Sequence, residues 1–469
     1  MAPRAAIGIL CRAPATRVGY RHTHVSTPQK KNTAMANAPQ YDAAPSRPLS
    51  RGDIKILSLS ALGGALEFYD FIIFVYFATV IGHLFFPPDM PEWLRMVQTY
   101  GIFAAGYLAR PLGGIIMAHF GDLLGRKRMF TLSIFLMSVP TLLIGCLPTY
   151  ETIGYLAPLL LVLMRILQGA AVGGEVPGAW VFVTEHVSRK DVGLACGTLA
   201  SGLVAGILIG SIISAFLKSY YTPEEMSAYG WRVPFLIGGV FGFLAVYLRR
   251  YLEETPVFAE MRAKKALSEG LPVKRVLSRH MDSVVLSMAV TWILTGAVVV
   301  VVLMTPSLLQ TLYGIDASLA NVWAIVCVII GCVVSGWCCD RIGSGITIIL
   351  WSLLLGITYW IMMHTVPSHP DQLMLLYCLA GFGVGIVGVV PTIAVKSFPA
   401  AVRFSGLSFS YNVAYAIFGG FTPVVVSTLM VSHPAAPAYY IAALGGLGVV
   451  IGIFLLRAPN GQRLALMQH

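Results

Sequence analysis

The chain has 469 residues, 57% of them hydrophobic and 11% charged, against roughly 25% charged in an ordinary soluble domain. A single soluble core could not hide that much apolar surface, so a water-soluble globular fold is excluded. The net charge of +11 lies in the loops between apolar runs rather than on one face, which excludes nucleic acid as its partner and leaves the lipid bilayer.

Residues 1–41 hold no Asp or Glu but carry Arg4, Arg12, Arg17, Arg21, Lys30 and Lys31. An acid-free, Arg-bearing leader can be a transit peptide. Met35, however, opens an ordinary polar lead-in, so residues 1–53 are read as an extension that is disordered or begins at too early a start codon.

Twelve apolar spans follow, at 54–84, 97–119, 129–148, 156–186, 191–217, 233–252, 283–311, 318–339, 345–366, 371–397, 405–431 and 437–457. Most exceed the roughly 18–20 residues that a helix needs to cross the hydrocarbon. All should be helical, because lipid cannot satisfy an open strand edge. The expected fold is therefore an all-α membrane protein of twelve transmembrane helices. With the N-terminus inside, Arg126, Lys127, Arg128, Arg189, Lys190, Arg403 and a basic run from Arg249 to Arg279 fall on one side, while Arg95, Lys218 and Arg232 fall on the other. That asymmetry predicts both termini in the cytoplasm. The eight cysteines sit mostly inside spans and read as small buried side chains, not as metal ligands.

The polar stretch at 253–282 divides the chain into two six-helix halves, 54–252 and 283–457, with a short cytoplasmic tail at 458–469. The halves echo each other. Asp122 and Asp340 each precede a glycine by three residues (Gly125, Gly343); Val176–Pro177 matches Val390–Pro391, and Lys190 with Gly193 matches Arg403 with Gly406. Repeats of this kind belong to transporters that rock two halves about a midplane site.

"GDLLGRKR" (121–128) resembles the cytoplasmic loop signature of the major facilitator superfamily at Asp122, Gly125, Arg126 and Lys127, departing from it at Ala118 and Leu123. Gly336, Asp340, Arg341 and Gly343 match in the second half. "ALEFYDFIIFVYFA", "RILQGAAVGGE", "GWRVPF", "EETPVF" and "FPAAVRFSGLSFSYNVAYAIFGGFTP" are similar to the metabolite:proton symporter family, across residues 54–457. The resemblance implies two pseudo-symmetric six-helix halves and cargo such as citrate, 2-oxoglutarate, shikimate, dicarboxylates, proline or betaine. It also implies that the loop charges Asp122, Arg126 and Glu185, with Asp340 and Arg341 as their counterparts, latch the cytoplasmic ends together. Lys396 stands where the family usually has an acid. Its stem can snorkel to the interface, or it can meet an anionic substrate leaving the site.

Intramembrane charges are costly and mark the pathway. Glu67 and Asp70, three apart, share one face of the first helix and are candidates to load a proton, or to serve as counter-ions of an arginine. Arg110 lies twelve residues before Asp122, roughly 18 Å deeper at 1.5 Å per residue, and its planar fork suits a carboxylate. Arg165, Gln168, Val172 and Glu175 form a helical stripe beside Gly169, Gly173 and Gly174. In it Arg165 and Gln168 are substrate candidates, Glu175 is a third proton candidate, and the glycines allow close packing. Trp292, Tyr313, Tyr411, Asn412 and Tyr415 could line the cavity from the second half, with Tyr411 and Asn412 among the substrate ligands.

No phosphate-binding loop, nucleophile–base set or cofactor motif is present in the sequence, so neither ATP-driven transport nor a membrane enzyme is expected, and no cofactor or metal. The reading is a monomeric transporter of the cell inner membrane that imports a small organic acid with protons by alternating access. A zwitterionic osmolyte such as proline or betaine is the runner-up, ahead of a uniporter, an exporter or a transporter-like sensor.

Overall fold

The structure, a computed structural model, describes residues 50–249, 272–430 and 432–457. Most of the polar stretch at 253–282 and the two chain ends lie outside the described residues, as do the side chains of Glu67, Asp122 and Arg126.

Helix dominates because the apolar runs leave the backbone no water to bond. Six long helices form the first half: α1 (Arg51–Tyr76), α2 (Glu92–Leu124), α3 (Arg126–Cys146), α4 (Leu156–His186), α5 (Val192–Tyr220) and α6 (Arg232–Arg249). Six more form the second: α7 (Met281–Gln310), α8 (Ser318–Ile342), α9 (Ser344–Thr365), α10 (Pro370–Lys396), α11 (Ala400–Met430) and α12 (Ala436–Arg457). Among the described residues ten helices are long and apolar enough to cross a membrane, and eleven if the bent pair Pro223–Gly230 and Arg232–Leu248 counts as one span. The remaining helix, α2, has 33 residues and occupies the place of the expected second span, but it carries Arg95, Gln98, Arg110 and His119 along its length.

Local signals place the ends. Ser50 caps α1: its hydroxyl accepts from the Asp53 N–H while the Asp53 carboxylate accepts from Ser50 N, a capping box that typically contributes about 1 kcal/mol. The first expected span is in fact two pieces, because the helix breaks at Phe77 before a short segment, Ala78–Phe85. The echoed glycines have one physical cause. Gly125 (φ 117°) and Gly343 (φ 87°) each join two helices, α2 to α3 and α8 to α9, in a conformation that L side chains rarely adopt.

The few cations at the end away from Arg403 are occupied by backbone. Arg232 donates to the Gly145 and Leu147 carbonyls at the end of α3, Lys218 donates to the Tyr76 carbonyl at the end of α1, and Arg95 holds the Pro88 and Met90 carbonyls of the first loop. Each satisfies acceptors that a helix end or turn leaves over.

Glycines bring α2 and α4 into backbone contact, as the stripe on α4 predicts. A Cβ at Gly169 would meet the Gly106 carbonyl, and one at Gly173 the Arg110 carbonyl. The two halves meet most extensively along α5 with α8 and α2 with α11, and also where α4 meets α11 and α5 meets α10. In the first pair Gly193 and Gly197 lie on Gly336 and on the Cys332 carbonyl. Cys196, Cys332 and Cys339 are buried free thiols at this seam. In the second half irregular turns interrupt three of the helices: wide, π-type turns at Ala297–Met304 in α7 and Tyr415–Gly419 in α11, and a tight 3-10 turn at Gly385–Gly388 in α10. Such turns interrupt the regular ladder and often mark functional segments.

Candidate functional site between the two halves

Arg110 is the centre of the site. It sits on α2 where Gly173 lets α4 approach, and it is 1% exposed. Its guanidinium carbon lies 4.3 Å from the ring centre of Tyr415 and 5.6 Å from those of Tyr107 and Tyr411. Tyr107 and Tyr415 stack across the two halves at 5.9 Å, and Trp180 of α4 packs edge-on against Tyr411 at 5.1 Å. A cation held over π faces in a dry site is stabilised by the ring quadrupoles. Its Nε donates to Asn412 Oδ1 at 3.4 Å and the guanidinium also acts on the Tyr411 and Tyr415 hydroxyls, while Nη2 is buried and has no hydrogen-bond partner among the described residues. Buried donors are rarely left over, so Nη2 is a vacant donor in a seat built for charge. Of the expected second-half residues, Tyr411, Asn412 and Tyr415 come together here.

Arg165 and Gln168 stand next to this site: Arg165 lies against Gly106 on α2 and acts on Tyr107, the ring that Arg110 also faces. Arg165 donates to Gln168 Oε1 at 2.9 Å and covers the Phe74 ring at 4.5 Å, and Gln168 in turn donates to Thr141 Oγ1 on α3 at 2.7 Å. Asp70 is 1% exposed, and among the described residues neither of its oxygens has a hydrogen-bond partner. It faces α6 beside Gly238, where any side chain would strike Oδ1, and near Thr141. Glu175 accepts a short hydrogen bond from Ser133, which ties α4 to α3. Trp292 donates to the Tyr440 hydroxyl at 2.8 Å and stacks on Phe418, so it packs the second half internally.

At the Arg403 end the halves are latched. Glu185 of α4, fully buried, pairs with Arg403 of α11 at 3.2 Å. Asp340 of α8 accepts from the Gly193 and Leu194 N–H groups at 2.7 Å each, so a carboxylate of one half caps the positive N-terminus of α5 in the other. The Lys396 ammonium acts on the same carboxylate. Phe404 fills the gap left by Gly121 and Gly178. Arg341 is exposed and lies over Trp337, one turn back on its own helix, so it is not part of this contact.

Removing one partner of a buried ion pair costs about 3–5 kcal/mol. Glu185→Gln should therefore lower the initial rate of uptake by at least about tenfold and speed alkylation of thiols at the α5–α8 seam. The double variant Glu185→Arg with Arg403→Glu should recover part of both. Wild-type uptake in the single variant would rule the pair out as a latch.

The Major Facilitator Superfamily pattern matches residues 60–423. The chain belongs to that superfamily. Within it, the chain is 30% identical over 447 residues to the proline/betaine transporter of Salmonella typhimurium, covering 88% of this chain and 87% of that one. It is 28% identical over 428 residues to the glycine betaine/proline/ectoine/pipecolic acid transporter OusA of Dickeya dadantii, covering 87% and 84%. Among solved structures, the proton:xylose symporter XylE bound to 6-bromo-6-deoxy-D-glucose superposes with a TM-score of 0.73 at 17% identity, over 89% of this chain and 98% of that one. That likeness establishes the fold. The protein is thus a multi-pass membrane transporter of the major facilitator fold and not an enzyme.

Sequence reasoning missed Tyr107, Trp180, Ser408 and the role of Arg403 as partner of Glu185. Tyr107 stands three residues before Arg110, and Ser408 four before Asn412, so helical spacing from the chosen residues could have found both.

Proposed function

We propose that the chain is a proton-coupled importer of a small zwitterion of the proline or betaine type, working by alternating access. The observation that carries this reading is Arg110: a buried guanidinium with a vacant Nη2, inside a wall of tyrosine rings. A carboxylate would take the guanidinium edge, and the ammonium one or two carbons away would rest against a ring face. A di- or tricarboxylate would need further cations beside the first. Instead the groups that touch Arg110 are neutral and π-rich, and the second buried guanidinium, Arg165, which also acts on Tyr107, is engaged by Gln168 and Phe74. The relatives' cargo supports the same choice, so the zwitterion replaces the organic acid as the leading reading.

The proton would ride on Asp70, whose buried carboxylate nothing among the described side chains compensates. Protonation removes a charge that is costly to hold there. Glu67 keeps its candidacy on sequence grounds, while Glu175 already serves Ser133. The Arg403 end would face the cytoplasm, with both termini inside and the protein acting as a monomer in the inner membrane. The latch would then be the inner gate, closed in this structure, with Asp122 and Arg126 contributing on the first-half side.

Purified protein in liposomes tests the reading with labelled proline, glycine betaine, citrate and 2-oxoglutarate, each with and without an acid-outside pH gradient. Gradient-driven accumulation of a zwitterion, with no accumulation of citrate or 2-oxoglutarate, is expected. Accumulation of the carboxylates alone would overturn it.

A further inference from the structure

Asn412 is fully buried on α11 and uses its amide in three directions. Its Nδ2 donates to the Gly173 carbonyl of α4 at 2.6 Å and to the Ser408 carbonyl of its own helix at 2.8 Å. Its Oδ1 accepts from Arg110 Nε. One turn earlier, Ser408 Oγ donates to the Gly114 carbonyl of α2 at 2.9 Å. One face of α11 thus hooks two backbone carbonyls of the other half, and only the absence of a side chain at Gly114 makes room, since a Cβ there would strike both Asn412 and Ser408.

We infer that Asn412 couples occupancy of Arg110 to release of this clasp between the halves. The edge of the guanidinium that is used decides the outcome. Nε and Nη2 point the same way and form one fork, the edge that a carboxylate grips with both oxygens. Here the fork is half taken: Nε holds Asn412 through a long bond, and Nη2 holds nothing among the described residues. A carboxylate drawn to Nη2 claims Nε as well and displaces Oδ1. The freed Oδ1 is then a buried acceptor without a donor, which is unfavourable. The bond that fixed the amide's orientation toward Gly173 is also gone. The ligand therefore favours the state in which α11 has left α2 and α4, as differential affinity between two states requires. Ser408 strengthens the clasp but touches no ligand-binding group, so it cannot report occupancy. Asn412 is in this sense a positioning residue that acts through Arg110.

The inference rests on the placement of a substrate carboxylate at Arg110 and is indifferent to what else the substrate carries. The test uses the full chain in detergent or liposomes with Cys339 as the one remaining cysteine. Cys339 is 4% exposed at the α5–α8 seam, so its alkylation rate reports opening of that end. Proline, glycine betaine, citrate and 2-oxoglutarate are the probes, and binding of each is measured separately by intrinsic tryptophan fluorescence. In the parent, a bound ligand should speed alkylation on the order of tenfold. In Asn412→Ala, basal alkylation should already be fast, and bound ligand should change it less than about twofold, outside the usual coupling range. Ser408→Ala should also raise the basal rate but keep the ligand's multiplying effect.

Three results overturn the inference: a parent whose labelling ignores a ligand that binds, an Asn412→Ala variant that keeps the parent's ligand ratio, or a Ser408→Ala variant that loses it equally. If citrate binds and the zwitterions do not, with the same contrast between variants, the proposed substrate class falls and the coupling stands.

Discussion

Arg110→Lys should reduce kcat/KM for the transported zwitterion on the order of a hundredfold, corresponding to about 3 kcal/mol. Lysine keeps the charge and much of the length but lacks the planar fork, so it can neither grip a carboxylate with two donors nor stack among three rings. The guanidinium carbon lies within 5.6 Å of the Tyr107, Tyr411 and Tyr415 rings, and that geometry is what the substitution removes. Initial-rate uptake in liposomes measures the effect, with thermal unfolding as the control for folding. Because Arg110 is 1% exposed, a loss of charge would itself disturb the fold, which makes lysine a cleaner test than alanine. A lysine variant that retains a third or more of wild-type kcat/KM would remove Arg110 from the substrate site.

Asp70→Asn should separate transport from its driving force. Asparagine is a near-isostere that stays neutral, so the carrier would be held in the form equivalent to the protonated acid. The side chain lies against Gly238 and Thr141, and no described group bonds its oxygens, so the fold loses little by the change. Accumulation driven by an imposed pH gradient should fall to the equilibrium ratio of about one, while exchange of labelled for unlabelled substrate across the membrane continues. Exchange returns the carrier loaded in both directions and so needs no net proton movement. Glu175→Gln should do less, since Glu175 is already tied to Ser133. Full gradient-driven accumulation by the Asp70→Asn variant would assign the proton elsewhere, with Glu67 the next residue to neutralise.

These two residues mark how far the sequence could be read. Arg110 and Asp70 are legible as buried charges because the surrounding run of apolar residues is long and local. Helical spacing then groups Tyr411 with Tyr415, and Arg165 with Gln168. Spacing could not say that Tyr411 and Tyr415 would close on Arg110, some 300 positions away in the chain, or that Arg165 would turn to Gln168 and Phe74. Nor could it give Glu185 its partner. The sequence suggests charges of the same signature loops, whereas the fold supplies Arg403, 218 residues distant. Asp340 is legible only as the counterpart of Asp122 in a latch of loop charges; the fold sets it on the N-terminus of α5, with Lys396 acting on the same carboxylate.

The sequence by itself therefore determined the class of molecule. Hydrocarbon forces every long apolar run into a helix, charge asymmetry orders the loops, and paired glycines at 125 and 343 fold two equivalent turns. All of these are short-range consequences of composition and backbone sterics. Only the tertiary structure decided which polar groups meet, because contacts between the halves join residues with no sequence proximity. They depend on how closely glycines let helices approach, as at Gly173, where the absence of a Cβ admits the Arg110 backbone, and at Gly114, where it admits Asn412 and Ser408.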